Sequence, residues 1–293
     1  MATATTAAAR AWADRTWSSA DGLRLHFRDY PGRADRPPVL ILHGLTRNAR
    51  DGAALAERLA GEWRVIVPEM RGRGESDYAK DTATYMPAQY VADLLALLEQ
   101  ERIDRFVSIG TSLGGLMTML LALVEPQRIA AATLVDVGPE IDPAGIAAIR
   151  EYVGQGGSFP TWMHAARALE QTHREAYPDF ALGDWLAMAK RVMALGANGR
   201  IVYDYDMGIA EPFAADPAPG AADLWPAFEA LAGRPLLLLR GELSRILAAD
   251  TAREMQRRVP ALEVVTVPRV GHAPTLAEPQ ALAAIERLLA QAA

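Results

Sequence analysis

The residues best placed for covalent chemistry lie in "SIGTSLGG", Ser108 to Gly115, where Gly110-x-Ser112-x-Gly114 joins a strand-like run to a helix-like one. A serine on a sharp strand-to-helix turn presents its hydroxyl beyond the end of a sheet, and small neighbours let the turn close. The bland alternative is a Gly/Ser-rich helix start with no reactivity. A serine hydroxyl is a poor nucleophile at neutral pH unless a base takes its proton, so a histidine is the next requirement. Of the five histidines, His272 in "PRVGHAPTLAEP" follows the last strand candidate and precedes the last helix, where a loop can reach back over a sheet; it is the expected general base. His26 falls in a hairpin and His164 and His173 on inserted helices, and all three read as ordinary surface or partly buried imidazoles.

The elements that must position these groups are legible as periodicity. "VLILHG", "WRVIVPEM", "FVSIGTS", "AATLVDVG", "PLLLLRG" and "LEVVTVP" are short runs, apolar on both faces, as a buried and mainly parallel sheet requires. "ARDGAALAERLA", "AQYVADLLALLEQ", "GGLMTMLLALV", "TAREMQRR" and "PQALAAIERLLAQA" repeat apolar residues three and four apart and read as helices. Thr251 with Glu254 matches a capping box, placing one helix start at Thr251. "TWSSADGLRLHFRDY", Thr16 to Tyr30, reads as an antiparallel hairpin. Alternating strands and helices predict an α/β fold with a doubly wound, mostly parallel sheet.

The alternation fails from about Pro139 to Trp225, which is helical in pattern and has no convincing core strand. The expected organisation is a core domain over 1–138 and 226–293 with a helical cap inserted at 139–225. The inserted segment carries 12 acidic and 6 basic residues, so its net charge of -6 equals the formal net charge of the whole chain.

Composition removes several function classes. With 51% hydrophobic and 23% charged residues in 293, the chain has material for a buried core. No cysteine is present, which excludes disulfides, thiolate metal sites and a cysteine nucleophile, and fits a reducing cytoplasm. No apolar run approaches the roughly 18 residues of a membrane span. The N-terminal "MATATTAAARAWADR" lacks the basic start and Leu-rich centre of a secretory signal. No Lys/Arg stripe suggests nucleic acid.

Taken together, "LILHGLTRN", "PEMRGRGESD", "GTSLGG" and "GHAPTLAEP" resemble, in order, the His-Gly segment, the Arg-Gly turn, the nucleophile elbow and the histidine loop of the α/β-hydrolase fold superfamily. The pattern is similar to that of the cofactor-free esterases, lactonases and carbon-carbon bond hydrolases with a helical cap. The resemblance implies an oxyanion hole from the backbone N–H groups of Leu45 and Leu113. His43 and Gly44, like Gly110 and Gly114, would then be structural, and no metal or organic cofactor is implied. Glu69, Arg71 and Asp77 read as a network ordering a loop.

The acid that would orient His272 is the difficulty. Related sequences usually carry it after the strand that is here "PLLLLRG", around Ser244 or Arg245, and neither is acidic. The family's second location, the end of the strand after the nucleophile helix, holds Asp136, 24 residues beyond Ser112. Asp136 is the expected acid; a turn-capping role for it, Glu242 or Asp250 as the acid, and a triad disabled by Arg245 are the alternatives.

These readings converge on a serine-dependent hydrolase of a small-molecule ester, thioester or lactone. The rivals are a carbon-carbon bond hydrolase of a ring-cleavage dienoate and a hydrolase fold kept for ligand binding. Trp162, Met163, Trp185, Met188 and Met193 are expected to supply an apolar substrate surface from the cap, whose acidity disfavours polyanionic substrates.

Overall fold

The apolar runs all enter one sheet. In a computed structural model, which describes residues 11–214 and 223–292, the strands in chain order are β1 Ala13–Ser18, β2 Arg24–Tyr30, β3 Val39–Leu42, β4 Val65–Glu69, β5 Phe106–Thr111, β6 Ile129–Val135, β7 Ser158–Phe159, β8 Met193–Leu195, β9 Ile201–Tyr203, β10 Leu236–Gly241 and β11 Glu263–Val267. Eight of them form a sheet of order β1-β2-β4-β3-β5-β6-β10-β11. The β1–β2 hairpin and the β2–β4 pair are antiparallel, and every other neighbouring pair is parallel.

Successive strand residues point to opposite faces, and here each face has its own core. Leu40, Leu42, Ile66, Leu236 and Leu238 enter one cluster, with Leu94, Leu97 and Leu98 of the helix Pro87–Gln100 and Met117 and Leu121 of the helix Leu113–Val124. Val39, Ile41, Val65, Val67, Leu237 and Leu239 enter the other, with Ala281, Ala284, Ile285 and Leu288 of the helix Pro279–Ala292. That i, i+3, i+4, i+7 spacing is one helical stripe. Burying each such aliphatic side chain contributes about 1.5–3 kcal/mol, which explains runs as apolar as "PLLLLRG".

One expected start is displaced. The helix expected from Thr251 runs Ala249–Arg258, so Thr251 lies inside its first turn and its side chain caps nothing. Asp250, also in that turn, pairs with Arg253. A carboxylate in the first turn complements the helix dipole without a capping box.

Between β6 and β10 the chain leaves the large sheet. This segment contains the helices Pro143–Arg150, Trp162–His173, Leu182–Val192 and Ala210–Ala214, and also a separate antiparallel sheet, β7-β9-β8, that the helical pattern did not reveal. Strands of two or three residues are too short to show alternation. Residues 215–222, within the expected insertion, and most of the N-terminal stretch read for a leader lie outside the described residues. Among the described residues no helix is long and apolar enough to cross a membrane.

Candidate active site

Ser112 follows β5 directly and is the residue from which the helix Leu113–Val124 starts. Its backbone is at φ 52°, ψ -112°, a conformation that costs a residue with a Cβ of order 1–3 kcal/mol and is held only by firm surroundings. Those surroundings include two glycines. A Cβ on Gly110 would lie 2.4 Å from the Gly114 carbonyl oxygen, and one on Gly114 would lie 2.2 Å from the Leu42 carbonyl oxygen. The helix start therefore seats against β3 and β5 only because both positions lack side chains.

His272 reaches Ser112 from the loop after β11. Its Nε2 lies 2.9 Å from Ser112 Oγ, and its Nδ1 lies 2.8 Å from Asp136 Oδ2. Two contacts tie this loop to the inserted segment: the Gly271 N–H donates to the Ala176 carbonyl, and the Tyr177 hydroxyl donates to the Ala273 carbonyl while accepting from the Ala273 N–H.

Asp136 stands just past β6, fully buried and at φ 55°. Its Oδ1 accepts from the Gly241 N–H at 2.8 Å, and its Oδ2 accepts from the Ser244 hydroxyl at 2.6 Å. Ser244 Oγ in turn accepts from the amides of Ile246 and Leu247. The segment "GELSR" is therefore in contact with the acid position without supplying the acid. Arg245 points outward, its side chain 74% exposed and 3.2 Å from Glu175 of the inserted segment. The other candidate acids are elsewhere: Glu242 accepts from the Arg269 amide, and Asp250 pairs with Arg253.

The loop after β3 passes on the other side of Ser112. His43 Nε2 accepts from the Met70 N–H at 3.1 Å, so the ring proton is on Nδ1, which donates to the Gly44 carbonyl at 2.8 Å. Burial, reinforced by the charge of Arg73, lowers the His43 pKa to about 4, so the imidazole is neutral at neutral pH. Gly44 is less constrained than the elbow glycines, since a Cβ there would make ordinary contacts with Arg47 and Ser112. Leu45 presents its carbonyl to Arg73 Nε at 2.9 Å. The amides of Leu45 and Leu113 have no acceptor among the described residues.

The residues of "PEMRGRGESD" brace this loop from below. Glu69 accepts from the amides of Ala49 and Glu75 and from His26, while Arg71 pairs with Asp93 and Asp21. Asp77 accepts from the Arg24 amide. His26 thus has a structural partner, and the His164 ring hydrogen-bonds Thr161 at the exposed start of its helix.

A cavity opens over Ser112 and His272, bounded by the loop after β3 and by the inserted segment. Of the expected substrate residues only Met188 lines it. Trp185 is buried among Tyr177 and Phe180, Met193 is buried in the same core, Trp162 packs at its edge, and Met163 is exposed on the outer side. Those large apolar side chains are used to hold the inserted segment to itself and to the sheet. The lining that the sequence reading missed is partly aliphatic, with Ile149, Val153 and Leu169, and partly polar and aromatic, with Arg47, Tyr152, His173, Tyr177, Tyr203 and Tyr205. His173, expected to be unremarkable, stands edge-on to Tyr152, and burial, reinforced by the charge of Arg47, lowers its pKa to about 4. The one available signal was the Tyr203-x-Tyr205 alternation, which puts both rings on one side of an extended segment.

Comparison with known proteins bears on the fold and on the class of enzyme. A family model described as alpha/beta hydrolase fold matches residues 37–279. The crystal structure of an alpha/beta hydrolase from Novosphingobium aromaticivorans is 63% identical and superposes with a TM-score of 0.93, covering 97% of this chain and 99% of that one. The 3-hydroxybutyrate-oligomer hydrolase of Cupriavidus necator is 33% identical over 267 residues, 89% of this chain and 90% of its own length. The 2-(acetamidomethylene)succinate hydrolase of Mesorhizobium japonicum is 26% identical over 242 residues, 80% and 81% of the two chains. The chain belongs to the alpha/beta hydrolase fold family and is a hydrolase of that fold.

Proposed function

We propose that the protein is a serine-dependent carboxylic ester hydrolase working through an acyl-enzyme. The observation that carries this is the unbroken path of hydrogen bonds from Ser112 Oγ through both nitrogens of His272 to Asp136, ending at a cavity. Gly241 and Ser244 both donate to the Asp136 carboxylate, leaving it the acceptor toward His272 as well. His272 therefore carries its proton on Nδ1 and offers a bare Nε2 to the Ser112 hydroxyl.

In this reading Ser112 Oγ adds to the ester carbonyl carbon as its proton moves to His272 Nε2. The carbonyl oxygen becomes an oxyanion facing the free amides of Leu45 and Leu113, and losing one such donor typically costs about 3–4 kcal/mol in the barrier. Collapse breaks the bond to the alcohol, which leaves with the proton from His272. Water then repeats the sequence on the acyl-enzyme and releases the acid. Arg73 would set the angle of the Leu45 peptide through its carbonyl, and the inserted segment would act as the cap that shapes the pocket. The relative named for 3-hydroxybutyrate oligomers supports an ester as the bond cleaved.

Ser112→Ala tests the assignment: hydrolysis of 4-nitrophenyl butyrate should fall by at least about a thousandfold. Undiminished turnover by the alanine variant overturns it. Faster turnover of a ring-cleavage dienoate than of any ester tried would move the reaction to a carbon-carbon bond.

A further inference from the structure

The cavity contains a guanidinium, that of Arg47, with no hydrogen-bond partner among the described residues. Arg47 follows the expected oxyanion residue by two positions, and its amide bonds back to the Gly44 carbonyl at 3.2 Å, which closes the turn after β3. A Cβ placed on Gly44 would lie 3.5 Å from Arg47 Cγ and 3.8 Å from Ser112 Cβ, so the arginine stem and the serine flank the same glycine, and both line the cavity. Among the described residues Arg47's side chain donates no hydrogen bond, and its nearest carboxylate is Asp51, 4.0 Å from Nε. The neighbouring arginines contrast with it: Arg73 donates to Leu45, Arg71 and Tyr90, and Arg50 to Arg191, Met193 and Asp204. Five planar N–H donors facing a cavity are an acceptor site for a planar anion.

The surrounding charge has the same sense. Asp51 is shared, since Arg191 Nε lies 3.5 Å from its other oxygen, and no other carboxylate lines the cavity. Along this wall two guanidinium groups face one carboxylate, an excess of positive charge. Burial, the largest influence, works against the charged form of Arg47, but the Asp51 carboxylate together with Tyr177, Tyr152 and Tyr203 outweighs it and the group stays cationic. Tyr152 and Tyr203 line the same cavity with hydroxyls that have no partner among the described residues. The acidity of the inserted segment as a whole does not extend to this wall.

We propose that Arg47, aided by the hydroxyls of Tyr152 and Tyr203, binds a carboxylate of the substrate, so that the ester hydrolysed is one that bears a free carboxylate near the scissile bond. This rests on the ester reading of Ser112 for the identity of the bond and on Arg47 for the identity of the handle. A bidentate carboxylate contact is charge-assisted on both sides, and its loss in a partly desolvated site corresponds to about a tenfold to hundredfold change in binding.

The test compares each carboxylate ester with its own methyl ester, which is neutral at the handle and unchanged at the scissile bond. One pair carries the carboxylate on the acyl side, mono-4-nitrophenyl glutarate and its methyl ester; the other carries it on the alcohol side, 3-butyryloxybutanoate and its methyl ester. In at least one pair the acid should exceed the methyl ester at least about tenfold in kcat/KM, chiefly through KM. Arg47→Met should bring that ratio to about one, and Arg47→Lys should leave part of it. Equal rates for acid and methyl ester in both pairs, or a ratio untouched by Arg47→Met, overturns the proposal. Glutarate binding to the Ser112→Ala protein, followed by calorimetry, separates the two readings. If Ser112→Ala remains active but glutarate affinity falls at least tenfold on adding Arg47→Met, the serine reading fails and the carboxylate site stands. If Ser112→Ala is inactive and glutarate binding ignores Arg47, the reverse holds.

Discussion

The ends of β6 and β10 are neighbours in the sheet, and they put different chemistry beneath the same imidazole. At the end of β6 a buried carboxylate faces His272 Nδ1; at the end of β10 a hydroxyl and an amide face that carboxylate instead. The strands are paired in register from Leu236–Ala132 to Leu239–Val135, so the residues that follow them emerge side by side. A histidine arriving from the far side of β10 can therefore find its partner on either strand end. The proposed mechanism needs one negative charge at that point, and the strand end that does not provide it holds the carboxylate of the one that does.

The sharpest way to break this comparison is Asp136→Asn. Asparagine tolerates the positive φ at this position, so the backbone should hold. Its amide cannot accept from Gly241, Ser244 and His272 together. With the NH2 toward His272, Nδ1 must become the acceptor and the ring proton moves to the Nε2 that should face Ser112. We expect kcat on 4-nitrophenyl butyrate to fall by about a thousandfold to ten-thousandfold. A loss smaller than tenfold, with the fold verified by circular dichroism, would mean that the working acid lies elsewhere.

Ser244→Ala addresses the other strand end and should have a smaller effect. The hydroxyl donates to the buried carboxylate and receives two amides, so its removal leaves three groups short of a partner. The expected costs are about 1–3 kcal/mol of stability in urea unfolding and about a tenfold loss of kcat, with Ser244→Thr restoring most of both. Identical losses in the alanine and threonine variants would point to packing rather than to the hydroxyl.

How far the sequence could be read follows from what each inference required. The core strands and their flanking helices were legible because burial on both faces leaves uninterrupted apolar runs and burial on one face leaves a helical stripe, both of them local patterns. Ser112 and His272 could be singled out for a related reason: Ser112 follows a strongly apolar strand with Gly110 and Gly114 on either side, and His272 follows Gly271 in the loop after the last strand. Asp136 was reachable only by comparing two strand ends, because its partnership with Ser244 spans 108 positions of sequence and depends on strand order. The cavity wall was the least legible part. A Trp or Met stripe on a helix looks the same whether it faces a substrate or a neighbouring helix, and Trp185 and Met193 turned out to face protein. Arg47 is one arginine among many until the absence of a hydrogen-bond partner is seen. The expected helix start at Thr251 failed because residue types alone do not say which turn the chain enters first.

Arg245 is the departure that made a disabled enzyme conceivable, and changing it should do least. The carbonyl of Arg245 abuts Gly145 so closely that a Cβ there would lie 2.2 Å from its oxygen, and the Ile246 carbonyl accepts from the Asp142 amide. With Ser244 turned toward Asp136 and Ile246 buried, the intervening side chain has only the solvent side open to it, where it meets Glu175. An exposed pair of this kind contributes little to stability and is screened by salt. Arg245→Ala should therefore stay within about twofold of the parent in kcat/KM on a neutral ester: Arg245 and His272 border one surface cleft, but the guanidinium is exposed, its ion pair is with Glu175, and it makes no hydrogen bond to Ser112 or His272. Arg245→Asp is the more pointed variant. If the end of β10 were the position His272 requires, an aspartate there would raise activity at least tenfold; if the end of β6 already supplies the charge, the new carboxylate will sit in solvent opposite Glu175 and activity will not rise. The second outcome would identify Ser244, not Arg245, as the residue through which this strand end acts on the site.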